Sequence, residues 1–367
     1  MTEFEALLRL HMTRGIGTRT YQALIERFGS SEAILNAPRA ELEAVAGIGP
    51  KLATAVIETS RNIDIDSEIN LAKEKNVQII PCTSDQYPKH LKAIYDPPLV
   101  LYVKGSILET DVIALAIVGA RRCTYYGLSQ AERFSRLLAQ KGFCIVSGMA
   151  RGIDAAAHRG AINSNGRTIA VLGCGLGVIY PRENIELAEQ ITQHGAIVSE
   201  LPMNTPPDFR NFPPRNRLIS GLSLGVLVVE SLLNSGSLIT AQWALEQGKE
   251  VFAIPGNIDN IYSRGTHKLI KEGAKLVEDV TDVIQELGPV AESLNTSDTQ
   301  MTNDPRSLSL NSQEKKIFSL LSSNPKDIDE IIQLAGLPTS VVTSTLMILE
   351  IKKLVKQLSG KRFVKSM

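Results

Sequence analysis

Three loops of this 367-residue chain combine glycines with hydroxyl or guanidinium groups, directly after apolar runs that are typical of β-strands. A helix-like segment follows each loop, so backbone N–H groups and the positive end of a helix could attract a phosphate. One such glycine often marks only close strand–helix packing, and tight turns with surface arginines are the alternative here. Three loops of this kind favour a phosphate site at the carboxyl edge of a sheet. The residues are Gly119, Arg121, Ser147, Gly148, Arg151, Ser235, Gly236 and Ser237.

Aromatic rings alternate with guanidinium groups in a proline-rich stretch that ends at Arg217. Phe212 closely precedes Arg215 and Arg217, and proteins that bind single-stranded nucleic acids without sequence preference use such groups to stack bases and grip the backbone. Asn216 could contact a sugar or cap the following helix. The alternative is that Phe212, or the neighbouring Phe209, pins the loop to the core.

The elements that must position these residues follow a regular order. From about residue 111, β-rich runs alternate with amphipathic helices, which predicts an α/β region with a parallel sheet wrapped on both faces. Two further runs, 77–81 and 99–103, extend this sheet or lead into it, and the proline pair at 97–98 favours entry into an edge strand. The main strand-like runs are 113–118, 143–147, 168–172, 196–199, 225–230, 250–254 and 275–278.

Residues 1–65 form a predicted helical region with an internal repeat. A Gly-Ile-Gly sequence precedes a helix-like segment twice, at 15–17 and at 47–49. This pattern is typical of a helix-hairpin-helix unit, whose exposed N–H groups can take a phosphate, but the same glycines also make tight turns. Both interpretations stay open, and residues 66–288 are assigned to the α/β domain that follows.

The C-terminal part of the chain changes character twice. Residues 289–311 are rich in Ser, Thr, Asn and Asp without apolar periodicity, which predicts a flexible linker. Residues 312–367 show three helical stretches and then two short strand-like runs, the order of a winged helix. Nine basic against five acidic residues favour DNA binding by this domain, although a protein-docking winged helix fits equally well.

Composition excludes several classes of protein. With 43% hydrophobic and 21% charged residues and no net charge, the chain is globular, and any nucleic-acid site must be a local patch. Four scattered cysteines and five histidines without ligand spacing predict reduced thiols and no metal site. The glycines at 173–177 lack the third position of a dinucleotide loop, so no cofactor is expected. An acidic start and short apolar runs predict a cytoplasmic protein without a membrane segment.

Six motifs in order resemble the DprA/Smf family of DNA-processing proteins, over residues 75–280. This resemblance implies an extended Rossmann-like, doubly wound domain that binds single-stranded DNA and forms a homodimer. The resemblance implies that the protein has no catalytic residues. It also implies that the protein helps to load the RecA recombinase during natural transformation. By position in these motifs, it also implies that ten residues line the DNA pocket: Arg121, Ser147, Gly148, Arg151, Phe212, Arg215, Asn216, Ser235, Gly236 and Ser237. Gly119 and Arg217 complete the predicted DNA-binding set of twelve. The motifs are V-G-A-R at 118–121, S-G-M-A-R-G-I-D at 147–154, Y-P-R-E-N at 180–184, F-P-P-R-N-R at 212–217, S-G-S-L-I-T at 235–240 and I-P-G at 254–256.

By the same analogy the dimer forms through the distal part of the sheet, with contributions from His267, Leu269 and Ile270. Two functions of other classes stay open. Related Rossmann-like folds include nucleoside-monophosphate hydrolases, but Pro255 and Gly256 are not followed here by the second glycine and Gly-Thr pair of their phosphate cradle. A winged-helix transcription regulator is the third candidate, and it would not need the central arginine-aromatic motifs.

Overall fold

The computed structural model describes residues 1–288, 310–322, 324–352 and 354–365, without the side chains of residues 60 and 61. The linker predicted at 289–311 lies outside the described residues, apart from its last two positions. The described chain forms a helical N-terminal region, a central α/β region and a small C-terminal region, in the predicted order.

Six helices form the N-terminal region. The two Gly-Ile-Gly repeats lead into α2 and α5, with Gly17 and Gly49 as extended N-cap residues. Gly15 and Gly47 have φ angles of +95° and +85°, a left-handed conformation that glycine adopts without a steric penalty. Each repeat is therefore a tight turn before a helix, whatever else it binds. The helices are α1 Glu3–Met12, α2 Thr18–Phe28, α3 Ser31–Asn36, α4 Arg39–Glu43, α5 Pro50–Asn62 and α6 Ile65–Glu74.

The central region is built on a nine-stranded sheet of order β1-β2-β6-β5-β4-β3-β7-β8-β9. Strands β3 to β7 are buried at every position, because helices cover both faces, and their sequences are correspondingly near-continuous apolar runs. The strands are β1 Val77–Pro81, β2 Val100–Gly105, β3 Ala114–Val118, β4 Cys144–Ser147, β5 Thr168–Val171, β6 Gly195–Ser199, β7 Gly225–Val228, β8 Glu250–Ala253 and β9 Lys275–Leu276. The helices are α7 Lys89–Lys92, α8 Tyr125–Gln140, α9 Ile153–Asn163, α10 Ile185–His194, α11 Phe212–Gly221, α12 Gly236–Glu246, α13 Arg264–Lys271 and α14 Val280–Leu287.

Two details of the sheet correct the sequence prediction. The strands from β6 to β9 are parallel, but β2 runs antiparallel to both β1 and β6, so the sheet is mixed. The strand that follows Pro97 and Pro98 is internal, and β1 is the edge strand. The proline pair is tolerated because the ladder begins only at Val100, so neither proline has to donate a hydrogen bond to a neighbouring strand.

The N-terminal helices and the sheet share one hydrophobic core. Leu8 of α1 and Leu24 of α2 belong to the same buried cluster as Tyr102 of β2 and Leu172 after β5. The boundary predicted between residues 65 and 66 therefore passes through a common core, and removal of the helical region would expose apolar surface.

The C-terminal region is a winged helix with its own core, to which Ile317, Leu346 and Phe363 contribute. Its basic side chains lie on α15, at β10 and around the wing, whereas α16 and α17 contain no lysine or arginine. The elements are α15 Ser312–Leu320, β10 Lys326–Asp327, α16 Ile328–Ala335, α17 Thr339–Ile351, β11 Val355–Leu358 and β12 Arg362–Lys365, with the strands in antiparallel order β10-β12-β11.

Among the described residues, no single helix combines the length and apolar composition needed to cross a bilayer. Helices α16 and α17 pass that test only as a pair, and the chain bends by 113° between them.

Candidate nucleic-acid interface

An open pocket of about 760 Å³ lies at the carboxyl edge of the parallel strands. After β3 the chain continues to β4 on one side, and it returns on the other side of β3 only with β7. The crevice at this reversal of strand order is where open α/β sheets bind their ligands. Loops after both strands contribute to the pocket, including Gly119 and Arg121 after β3 and Ser235 and Gly236 after β7.

Helix α11 closes the pocket and places a buried cation at its floor. Arg215 donates hydrogen bonds to the carbonyl oxygens of Gly148, at 3.1 Å, and of Val171. Burial lowers the pKa of Arg215 to about 10, and the charge of nearby Asp154 opposes that shift, so the guanidinium stays protonated at neutral pH. Burial raises the pKa of Asp154, opposed by Arg215 and by N–H donors from Gly148 and Ala150.

Gly148 is required by this arrangement. A Cβ atom there would lie 2.8 Å from Arg215 Nη2 and 2.8 Å from Asp154 Oδ2. At Gly119, a Cβ atom would lie 2.7 Å from Ile153 Cγ1, which is the close strand–helix packing that the sequence left open as the alternative. The two glycines thus shape the pocket rather than only exposing backbone.

Phe212 is a packing centre within the pocket. Its ring centroid lies 5.9 Å from that of Tyr180, and the guanidinium carbons of Arg121 and Arg215 lie 5.3 and 5.8 Å from it. On Gly173 a Cβ atom would approach the Phe212 ring to 2.7 Å, so this glycine makes room for the ring. Phe212 thus packs against a second ring and lies beside two arginines, and base stacking by its ring stays a prediction.

More exposed aromatic faces come from two other residues. Phe209 is 80% exposed and Tyr180 is 37% exposed, and both line the pocket. Phe209 is not among the predicted site residues, and Tyr180 enters the sequence prediction only within the Y-P-R-E-N motif at 180–184. The sequence could have identified Tyr180 as a site residue by its position, because it follows β5 at the same sheet edge as the phosphate loops.

The turn before α12 presents hydroxyls and a carbonyl at the pocket wall. Ser235 caps the helix by accepting from the Ser237 N–H at 3.4 Å, and the Ser237 hydroxyl donates to Ser231 at 3.0 Å. Asn216 of α11 donates to the Gly236 carbonyl oxygen at 3.1 Å, which fixes the turn against the helix. Asn216 therefore neither caps α11 nor depends on a ligand for its partner.

Arg122 also lines the pocket, although the sequence analysis did not select it. Within the described part of the chain, neither Arg121 nor Arg122 forms an ion pair with a carboxylate. Arg151 lies at an adjoining recess of about 40 Å³ with Gly148, and it pairs with Glu183 at the surface. Arg121 and Arg122 are thus the cations most available to an anionic ligand.

Two predicted site residues, Ser147 and Arg217, do not line the pocket or its adjoining recess, and DNA contacts by either stay a prediction. Ser147 is fully buried, and its hydroxyl donates to the Ile117 carbonyl oxygen at 2.7 Å. Arg217 is buried with two hydrogen bonds to Glu200, at 2.7 and 2.6 Å, and a third to the Asp96 carbonyl oxygen at 3.1 Å. Their polar groups are satisfied by the protein itself.

His158, one helical turn after Asp154, is a buried ionisable group with a structural partner. The Nδ1 atom of His158 lies 2.7 Å from the Thr168 hydroxyl, and burial lowers the pKa of His158 to about 3, so the ring is neutral. No cluster of three or more His, Cys, Asp or Glu side chains that could hold a metal is found among the residues described.

The two N-terminal hairpins differ in their surroundings. Thr18, at the start of α2, is buried and its hydroxyl donates to the Pro97 carbonyl oxygen, so the first hairpin packs against the central region. The second hairpin leaves Gly49 and Lys51 exposed, but the first helical residue there is Pro50, which has no N–H.

The fold and pocket define an extended Rossmann-like protein, flanked by a helix-hairpin-helix region and a winged helix. A family profile described as DNA recombination-mediator protein A matches residues 78–288, so the chain belongs to this family, which the sequence analysis identified as DprA/Smf. Profiles for a SAM-like helix-hairpin-helix tandem and for a DprA winged helix domain match residues 4–62 and 301–361.

Similar proteins cover most of the chain. The chain is 40% identical to protein Smf of Escherichia coli over 297 residues, which is 81% of this chain and 79% of that one. It is 47% identical to the DNA processing protein DprA of Bacillus subtilis over 216 residues, covering 59% and 73% of the two chains. Among solved structures, DprA of Streptococcus pneumoniae superposes with a TM-score of 0.66 at 35% identity, covering 78% of this chain and 98% of that one.

DNA processing protein A of Helicobacter pylori, whose structure is described for its single-stranded DNA-binding mode, superposes with a TM-score of 0.53 at 30% identity. That alignment covers 60% of this chain and 97% of the other.

Proposed function

We propose that this chain binds single-stranded DNA in the central pocket, without catalysing a reaction, and that it helps to load RecA during natural transformation. One observation carries the proposal: Arg121 and Arg122 line the same pocket as the exposed rings of Phe209 and Tyr180. Neither arginine has a carboxylate partner among the described residues. The description of the Helicobacter pylori relative as a single-stranded DNA binder supports the ligand class.

The geometry favours a strand with accessible bases. The guanidinium carbon of Arg121 lies 5.3 Å from the Phe212 ring centroid, and an arginine beside an aromatic face can still donate its N–H groups to a phosphate. Bases freed from a duplex can then stack on Phe209 or Tyr180, and stacking of this kind tolerates any base. A blunt duplex offers phosphates but no free base faces, so it would lose half of these contacts.

The chemistry of the lining residues supports a binding protein rather than a hydrolase. Asp154 is the one carboxylate among the residues that line the pocket, and N–H groups of Gly148 and Ala150 hydrogen-bond to it. A second acid or a nucleophile with an adjacent base would be needed for general acid–base or covalent hydrolysis.

Homodimer formation through the distal part of the sheet is part of the proposal. A groove of about 480 Å³ lies between α12 and α13, and Leu233 and Leu245 beside it are 48% and 62% exposed. Leu269 lines this groove but is largely buried, and His267 contacts Gly256 through its Nε2 atom. The apolar face therefore belongs mainly to α12 and the loop before it. We place the protein in the cytoplasm, where such DNA and RecA meet.

The test is fluorescence anisotropy with a labelled oligo-dT and a blunt duplex of matched length, across a salt series. Binding of the single strand should exceed that of the duplex by at least tenfold. The full chain is used because the helical and central regions share a core, and a second form ending at residue 288 measures the contribution of the winged helix. Equal affinity for strand and duplex would contradict the proposal, and release of free base from AMP or CMP would favour a hydrolase.

A further inference from the structure

Tyr95 is an exposed aromatic residue outside the pocket. It is 74% exposed, and among the aromatic side chains of the described residues only Phe209 exposes a larger fraction. The guanidinium carbon of Arg19, at the start of α2, lies 4.1 Å from the Tyr95 ring centroid. Phe209 in the pocket has a similar neighbour, Arg210, at 5.8 Å. Both sites combine a ring and a guanidinium, the pair of groups that stacks and holds a single strand.

The segment that carries Tyr95 is held in place by side chains from α11, from α2 and from the loop between β1 and α7. The carbonyl oxygen of Asp96 accepts from Arg217 of α11 at 3.1 Å, and that of Pro97 accepts from Thr18 of α2. The carbonyl oxygen of Pro98 accepts from the Tyr87 hydroxyl at 2.9 Å. Three successive carbonyls are thus bound, so the backbone beside Tyr95 is fixed and the ring is presented on a rigid support.

The same contacts place Tyr95 beside α11, the helix that closes the pocket. Arg217 lies five residues after Phe212 on α11, which corresponds to a rise of about 7.5 Å along the helix. Because Arg217 and Arg215 lie on opposite sides of α11, a strand that leaves the pocket would have to pass around this helix to reach the seam between the helical and central regions, where Tyr95 and Arg19 lie.

We propose that Tyr95 and Arg19 form a second contact for single-stranded nucleic acid, at the seam between the helical and central regions. This inference rests on the proposed function of the pocket. One face of the Tyr95 ring is covered by Arg19, and the other face stacks on a base of the outgoing strand. Arg19 donates its remaining N–H groups to the adjacent phosphate. The helical region then contributes to binding through the side chain of Arg19, which lies two residues after the first hairpin.

The experiment compares two lengths of oligo-dT on the full chain. A strand of about six nucleotides fills only the pocket, whereas one of about twenty reaches the seam. Tyr95→Ala should weaken binding of the long strand roughly 5- to 10-fold, the lower end of the effect of losing one stacked base, with an unchanged salt slope. Binding of the short strand should not change. Arg19→Ala should flatten the slope of log affinity against log salt for the long strand by about 0.7.

Matched variants separate a DNA contact from a loosened seam. Arg27→Ala removes a second arginine from the same helix and should leave the slope unchanged. Tyr95→Leu keeps an apolar side chain of moderate size and should lose affinity as Tyr95→Ala does. An equal loss for both lengths would show that Tyr95 only supports α11, and no loss for either would show that the ring makes no contact. Either result overturns the inference.

Photocrosslinking locates the contact directly. A long strand carrying 5-iododeoxyuridine should crosslink to Tyr95 as well as to Phe209 or Tyr180 in the pocket. Crosslinks in the pocket without any at Tyr95 would refute the seam contact and leave the proposed function standing. If the wild type binds neither length, the proposed function itself has failed.

Discussion

Helix α11 carries an arginine on each of two opposite sides, and the two arginines have different partners. Arg215 and Arg217 stand two residues apart, about 200° around the helix, and therefore point in opposite directions. Arg215 faces the pocket, where its partners are carbonyl oxygens and the more distant Asp154. Arg217 faces the helical region, where Glu200 neutralises it. The difference lies in the distance of the carboxylate: Glu200 forms a direct ion pair with Arg217, whereas Asp154 acts on Arg215 through its charge and forms no ion pair with it among the described residues.

The largest effect is expected on the pocket side. Arg215→Ala leaves the buried Asp154 without its compensating cation and two carbonyl oxygens without a donor, so the free energy of unfolding should fall by about 3 kcal/mol. Urea unfolding followed by circular dichroism measures this. A loss below about 1 kcal/mol would mean that solvent or structural relaxation satisfies Asp154, and the pocket floor would then be less rigid than the contacts indicate.

Glu200→Gln tests the other side of the helix. Arg217 could be a structural residue or a phosphate contact, and the two roles predict opposite changes in oligo-dT binding. As a structural residue, Arg217 loses its charge partner, so stability should fall by about 1–3 kcal/mol and oligo-dT binding should stay equal or weaken. As a phosphate contact, Arg217 would be released, so binding should strengthen and the salt slope should steepen. The double variant Arg217→Leu/Glu200→Leu, which removes both charges, should recover much of the lost stability.

The two phenylalanines of the pocket sharpen the difference between a support and a contact. Phe212 orients Arg121 and Arg215, so Phe212→Ala should weaken oligo-dT binding by about 1–3 kcal/mol and also flatten the salt slope. Phe209 is 80% exposed and lies beside Arg210, so Phe209→Ala should weaken binding by about 1 kcal/mol with a parallel slope. Parallel slopes for both variants would assign base stacking to Phe212 after all, and melting curves control for folding.

The smallest effect is expected from one exposed pocket cation. Arg121→Ala should flatten the slope of log affinity against log salt by about 0.7, the change for one lost phosphate contact to a single strand, with little change in stability. Arg39→Ala is a suitable control, because this exposed arginine of α4 is not among the residues that line the pocket and already pairs with Glu43 at 2.6 Å. A similar change of slope in both variants would indicate general surface electrostatics rather than a specific contact.

Much of the fold could be predicted because it depends on local patterns. The apolar runs of β3 to β7 specify buried strands, the glycine repeats specify the starts of α2 and α5, and the helices of the winged helix lie where their periodicity places them. The direction of β2 could not be predicted, because parallel and antiparallel pairing place the same apolar side chains on the same faces. The shared core of the helical and central regions was equally hidden, since each region has an ordinary apolar content by itself.

For the candidate site, the sequence by itself determined which loops meet at the carboxyl edge of the sheet. Of the twelve residues predicted from the sequence, ten line the pocket or its adjoining recess. Only the tertiary structure decided the partner of each charged or aromatic group. Glu200 meets Arg217, Asp96 meets Arg217 and Arg19 meets Tyr95 across separations of 17 to 121 residues. Charge and stacking act over a few ångströms of space, and sequence spacing does not report which distant segments the folded chain brings that close.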